Sequence, residues 1–200
     1  MKNTHLEHPE DCILTGNLSV LDAFLLPLLI TLKIDGAPAI VWGTNPETGN
    51  FFVGTKSVFN KVKIKINESH TDIEQNHDGQ VADILHYCLD NLPDHDGIIQ
   101  GDFIGFGGDD IYTPNTLTYF FDGDVDAEII VAPHTSYSGD CLRDAIASPL
   151  MENMQSTETC RFVQPRSFIQ GEVESFVDLE DAVKFAKQMS QAVDFISEKE

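Results

Sequence analysis

Ala39-Ile40-Val41-Trp42-Gly43, Asn45-Pro46-Glu47-Thr48-Gly49-Asn50 and Phe51-Phe52-Val53-Gly54-Thr55 form the stretch that decides the fold class. Two short runs of β-branched and aromatic residues flank a segment dense in Asn, Pro and Gly. Such runs read as strands, and the segment between them reads as a turn. Residues 39–55 are therefore expected to form a β-hairpin.

The reading extends outward from that hairpin. Upstream, residues 18–26 read as a short apolar helix stopped by Pro27, and Leu28 to Ile34 as a buried strand. Downstream, residues 60–76 are polar and irregular. From Gln80 to Leu92, apolar residues stand at Val81, Ile84, Leu85, Cys88 and Leu89, the spacing of an amphipathic helix. Strands are expected at Ile98–Ile104, Asn115–Phe121 and Ala127–Ala132, with a loop over Gly105–Asp110. Gly101, inside the first of these, marks close approach by a ligand or another backbone. Residues 151–161 read as a loop or a poorly ordered segment, and 179–196 as an amphipathic helix. The order of elements predicts an α+β fold, a mainly antiparallel sheet with flanking helices. A core over residues 1–138 and an extension over 139–200 are expected.

Composition bounds the function. A chain of 200 residues, 42% hydrophobic, holds enough apolar material for one core, and 9% aromatics argue against disorder. Six basic and six acidic side chains cancel in residues 1–66, so the net charge of −21 resides in 67–200. No Lys or Arg stands between Lys65 and Arg143. This excludes a binder whose whole surface grips phosphate. A nucleic acid has access only through the Lys56–Lys65 region, which also holds Lys61 and Lys63. The acidic remainder keeps the protein soluble.

No signal peptide is visible, and the longest apolar run, Ala23 to Ile30, is shorter than the roughly 20 residues a membrane helix needs. No membrane partner is expected. Cys12, Cys88, Cys141 and Cys160 form no close pair, which fits a reducing, cytoplasmic setting. Asp122-Gly123-Asp124-Val125-Asp126 opens like a calcium loop but lacks its Gly and closing Glu. The Gly105–Gly108 loop lacks the Lys of a phosphate loop. His5 and His8 have ligand-like spacing without a helix signal, and the other histidines, His134 included, form no local constellation.

The segment that carries chemistry is Thr31-Leu32-Lys33-Ile34-Asp35-Gly36-Ala37-Pro38. A lysine buried in an apolar strand loses stability as an ammonium, so its pKa falls and the amine becomes a usable nucleophile. Gly36 would let a ligand approach the backbone. The same pattern equally describes a strand end with a solvent-reaching lysine and an Asp-Gly turn.

Lys33-Ile34-Asp35-Gly36 resembles the nucleotidylation motif of ATP-dependent DNA ligases, RNA ligases and capping enzymes. Three more segments follow in that superfamily's order. Phe52-Val53-Gly54-Thr55-Lys56-Ser57 resembles its basic segment. Ile98-Ile99-Gln100-Gly101-Asp102-Phe103 resembles its acidic-Gly-acidic strand. Thr118-Tyr119-Phe120-Phe121-Asp122 resembles the strand whose ring stacks on the purine. Further stretches, His5 to Asp11 and Pro114-Asn115-Thr116 among them, are similar to ligase-like proteins of tailed phages, especially of marine bacteria. The likeness covers residues 4–138.

The resemblance implies a ligase adenylation (ATP-grasp-like) fold and a set of roles. The Lys33 amine would attack the α-phosphate of ATP, forming lysyl-AMP for nucleic-acid end joining. Asp35, Gly36, Lys56, Asp102, Tyr119 and Phe121 would bind the nucleotide, Tyr119 or Phe121 stacking on adenine. Asp102 would also bind Mg²⁺. If phage-encoded, the protein would act in the host cytoplasm. The pattern is incomplete: Pro38 stands where the superfamily has Arg, and the later Glu-Gly and Lys-x-Lys strands have no clear counterpart. A truncated or split adenylation domain, completed by a C-terminal segment or a protein partner, is one expectation. The alternative is a catalytically incomplete relative that binds a nucleotide or a protein.

Overall fold

The structure is a computed structural model that describes residues 9–25, 28–31, 33–164, 168–171 and 178–191. His5, His8, Pro27 and residues 192–196 of the expected terminal helix lie outside the described residues. The chain divides into two compact units, one built on Lys33–Gln164 and the other on Glu7–Leu32 and Pro165–Glu200. The expected division after residue 138 is not where the chain parts, because 139–164 supplies strands to the main sheet.

The smaller unit joins an early segment of the chain to a late one. It holds α1 (Pro9–Leu14), a 3-10 helix (Leu18–Leu25), β1 (Leu28–Thr31), β10 (Phe168–Gly171) and α4 (Leu179–Ser190). β1 and β10 pair antiparallel. α4 packs on the 3-10 helix, and Lys187 reaches Asp22 across that contact. The expected strand to Ile34 stops at Thr31.

The larger unit is α+β. Its elements are β2 (Ala39–Thr44), β3 (Phe51–Gly54), α2 (His70–Asn76), α3 (Gly79–Asn91), β4 (Ile98–Phe106), β5 (Ile111–Tyr112), β6 (Tyr119–Phe120), β7 (Ile129–Ser138), β8 (Ile146–Pro149) and β9 (Cys160–Phe162). The main sheet runs β3-β2-β4-β7-β8, with β9 beside the start of β7. All pairs are antiparallel except β7 with β9. The hairpin of β2 and β3 is as the sequence predicts. Its turn is held by Glu68, whose carboxylate accepts from Asn45 Nδ2 at 2.8 Å, Thr48 Oγ1 at 2.5 Å and Asn50 Nδ2 at 2.8 Å.

Several expectations are corrected in detail. Residues 60–76 are not wholly irregular: α2 begins at His70, and Ser69 caps it by accepting from the Asp72 amide. The strand expected over Asn115–Phe121 shortens to β6, paired with β5, which the sequence places near a loop. β7 runs six residues past the expected end at Ala132. The 151–161 loop closes into β9.

The two faces of the sheet differ. One is covered by α2 and α3, which bury Ile73, Ile84, Leu85 and Cys88 against Ile40, Trp42, Ile99, Phe103 and Val131. The other carries two separate apolar clusters. Val41, Phe52, Phe59, Ile98 and Tyr137 form one. Ile104, Tyr112, Ile130 and Ala132 belong to the other. Ile98 and Ile104 are six residues apart on β4, about 20 Å along a strand. Between them lie buried polar side chains: Gln100, Asp102 and, on β7, Thr135. Buried polar groups need partners. Gln100 has the Tyr137 hydroxyl at 2.7 Å, and Asp102 has those described below.

Gly101 allows a close approach of β4 and β7. A Cβ there would lie 2.7 Å from the Ala132 carbonyl oxygen and 2.9 Å from Pro133 Cα. The close approach expected at this glycine is that of another backbone. Both obstacles are main chain, so Gly101→Ala forces the strands apart. It is expected to cost about 1–3 kcal/mol, read from the urea unfolding midpoint; an unchanged midpoint would contradict the packing described.

Candidate functional site

The polar gap on the open sheet face is where four sequence-distant segments meet. Residues 33–38 follow β1 as irregular chain and cross beside β4. Their backbone is fixed by Ala37 N donating to Phe103 O at 3.0 Å and Phe103 N donating to Pro38 O at 3.0 Å. Gly36 is required there: a Cβ would fall 2.4 Å from the Phe103 carbonyl oxygen and 2.8 Å from Ile104 Cδ1. The space that a Gly36 side chain would take is filled by β4.

Tyr119 clamps the same segment from the β5–β6 hairpin. Its hydroxyl accepts from Asp35 N and donates to Asp35 O, both at 2.8 Å. Asn115, before β6, donates to Asp35 Oδ2 at 2.8 Å. The other carboxylate oxygen, Oδ1, receives Lys33 Nζ at 2.6 Å.

Asp102 forms the floor. It is 6% exposed. Its Oδ2 accepts from Lys33 Nζ at 3.3 Å and from the Gly36 amide at 3.3 Å. Its Oδ1 faces His134 Nε2 at 3.4 Å. His134 Nδ1 in turn lies 2.7 Å from Thr135 Oγ1. His134, which has no local constellation in the sequence, is thus part of the cluster. Sequence reading misses it because a bulge in β7, not a local motif, delivers it.

Electrostatics follow from this geometry. Lys33 is not the buried strand lysine that the sequence suggests: it lies past the end of β1, with its side chain 60% exposed. Residual burial pulls its pKa down, but hydrogen bonds to Asp35 and Asp102 and their charges outweigh that and hold it above the ordinary lysine value. The expected lowering is reversed, because the amine gains two carboxylates where an apolar strand offers none. Asp35 is held below the usual carboxylate range, first by the Lys33 hydrogen bond and then by Asn115. For Asp102 burial pushes upward, yet the hydrogen bond and charge of His134, with Lys33 and the Gly36 amide, hold it low.

The remaining expected residues lie elsewhere. Phe121 packs edge-on against Tyr112, with ring centroids 5.5 Å apart, in the cluster around Ile104. Lys56 is exposed at the start of a 3-10 helix (Lys56–Phe59) that packs on the other cluster, around Ile98. The structure does not bring Lys56 to Lys33. Lys61 and Lys63 are exposed beyond it.

Among the described residues no group of three or more His, Cys, Asp or Glu side chains is arranged to hold a metal ion. Nor is any of the described helices long and apolar enough to cross a membrane. The chain belongs to the family of unknown function DUF6267, whose profile matches residues 3–199. No curated protein and no solved structure matches it.

The depressed pKa of Asp102 makes a prediction about acid stability. A carboxyl with a lowered folded pKa contributes in full above its unfolded pKa, near 3.9, and loses that contribution as pH falls through the folded value. Asp102→Asn is expected to lower stability by about 1–3 kcal/mol at pH 7. The gap to the wild type narrows as pH falls below about 4. Urea unfolding of both proteins between pH 3 and pH 7 checks this; a gap constant across that range would contradict it.

Proposed function

We propose that this DUF6267 protein is a ligase-like nucleotidyltransferase that becomes covalently adenylated on Lys33. One observation carries the reading. The Lys33, Asp102 and Tyr119 segments, which resemble successive motifs of the ligase and capping-enzyme superfamily, meet at residues 33–36: Asp102 at the Lys33 amine and Tyr119 at the Asp35 main chain. They are 69 and 84 residues apart in sequence along the two contacts that join them.

The chemistry is a displacement at phosphorus. Lys33 Nζ attacks the α-phosphorus of ATP and forms a nitrogen–phosphorus bond. The bond from that phosphorus to the oxygen bridging the β-phosphate breaks, and pyrophosphate leaves with the electron pair. Lys33 is an ammonium at neutral pH, so one proton must leave before or during attack. Asp102 Oδ2 and Asp35 Oδ1 are the acceptors within reach. Tyr119 holds the backbone of Asp35, which fixes the amine relative to the incoming nucleotide.

Mg²⁺ is proposed to arrive with the triphosphate and to be held by Asp102, with Asp35 beside it. Magnesium takes one or two carboxylates and completes its shell with phosphate oxygens and water. Asp35 and Asp102 supply two carboxylates, and the described residues supply no larger cage. Bound there, Mg²⁺ would neutralise charge on the departing pyrophosphate. The acceptor of the AMP group is proposed to be a nucleic-acid end. Lys56, Lys61 and Lys63 support that reading as exposed cations in a stretch without acidic residues.

A second reading is binding of a nucleotide or a protein without chemistry. It is favoured by the cluster's charge: Lys33 is its one lysine or arginine and is tied to both carboxylates. A site with part of its charge-stabilising set loses much of its rate.

Intact-mass measurement after incubation with ATP and Mg²⁺ separates the two. The expected result is a gain of one AMP in the wild type, reversed by pyrophosphate and absent in Lys33→Ala. Protein that binds ATP with no mass gain would support the second reading and end the first.

A further inference from the structure

We propose that His134 is a positioning residue for the Lys33 nucleophile, acting through Asp102. The proposal rests on the nucleotidyltransferase reading for its consequence, but on geometry alone for the contact.

The backbone around His134 is built to deliver its ring. In the β4–β7 ladder Gln100 pairs with Thr135 and Gly101 pairs with Pro133, so His134 is the extra residue of a bulge. Bulges re-aim side chains, and they occur beside active sites. A proline within a central strand is tolerated at such a place because its missing N–H is not needed there. Gly101 opposite it has no side chain and lets the bulged strand close in. The His134 carbonyl is held separately, accepting from Leu150 N at 3.0 Å.

The ring is held at both nitrogens. Nε2 faces Asp102 Oδ1 at 3.4 Å, and Nδ1 lies 2.7 Å from Thr135 Oγ1. Thr135 is itself 2% exposed. A carboxylate rotates about its Cβ–Cγ bond unless both oxygens are engaged. With Oδ1 held by His134, Oδ2 is turned to Lys33 and the Gly36 amide. Without that hold, only Oδ2 is engaged, and the carboxylate plane can shift relative to the nucleophile segment. The acceptor that orients the amine is then misplaced. An error of about 1 Å in such a group costs up to about a hundredfold in rate.

The variants that test this differ in reach. The amide nitrogen of Gln extends about as far as imidazole Nε2, whereas that of Asn reaches only as far as Nδ1. Two readouts are taken on the full chain for wild type, His134→Ala, His134→Asn and His134→Gln. The first is the single-turnover rate of lysyl-AMP formation with ATP and Mg²⁺. The second is the amide proton shift of Gly36 in the nucleotide-free protein, which reports its hydrogen bond to Asp102.

The expected result is a loss of roughly ten- to a hundredfold in rate for Ala and Asn, with Gln near wild type. The Gly36 resonance should move upfield in Ala and Asn and return in Gln. A Gly36 resonance unmoved in all three variants overturns the proposal. So does an equal rate loss in Asn and Gln, which would mark the bulge as merely structural. If the wild type forms no lysyl-AMP while the Gly36 resonance follows the pattern, the positioning contact stands and the nucleotidyltransferase reading falls.

Discussion

The buried carboxylate of Asp102 is the constraint on which the rest of the site depends. It lies on the sheet face opposite the helices, in the gap between two apolar clusters. A lone charge there would be costly. The chain meets that cost with three donors from two places: Lys33 and the Gly36 amide from the segment before β2, and His134 from the bulge of β7. Each donor dictates something local. Gly36 must lack a side chain to pass Phe103, β7 must bulge at His134, and Gly101 must be bare so that β7 can close in. A partner lost from such a carboxylate leaves it underpaired in a buried place, so these features stand or fall together.

Much of the scaffold is legible in the sequence because its signals are local. The hairpin of β2 and β3 follows from its turn residues, and α3 from apolar residues at helical spacing. What escapes sequence reading is set by contacts distant in the chain. α2 is the exception, since Ser69 and Asp72 stand at the spacing of a capping box, a signal that is local. β7 extends past Ala132 because β4 and β8 pair with it on either side, and no local propensity reports that.

The site divides the same way. Lys33, Asp35, Asp102 and Tyr119 are nominated by a resemblance, and the fold joins them. Phe121 and Lys56 come from the same resemblance, but one packs against Tyr112 and the other lies toward the far cluster. Lys33 reads as buried because Leu28–Leu32 is apolar, yet the strand stops at Thr31. Pro133 directly follows the strand expected to end at Ala132, and the strand in fact continues past it to Ser138. Proline there signals a bulge, and a bulge re-aims the residue beside it.

The charge of the chain and the chemistry proposed for it meet at Lys33. A net charge of −21 repels a polyphosphate at long range, and the cluster offers one lysine between two carboxylates. A substrate suited to this site carries its own cations to neutralise it, as a magnesium-bound nucleotide does. The most direct measurement of the central claim is a crystal structure after incubation with ATP and Mg²⁺. The account predicts continuous density from Lys33 Nζ to the α-phosphorus, with Asp102 still between Gly36 and His134. An unmodified Lys33 still paired to Asp35 and Asp102, with nucleotide bound elsewhere, would contradict it.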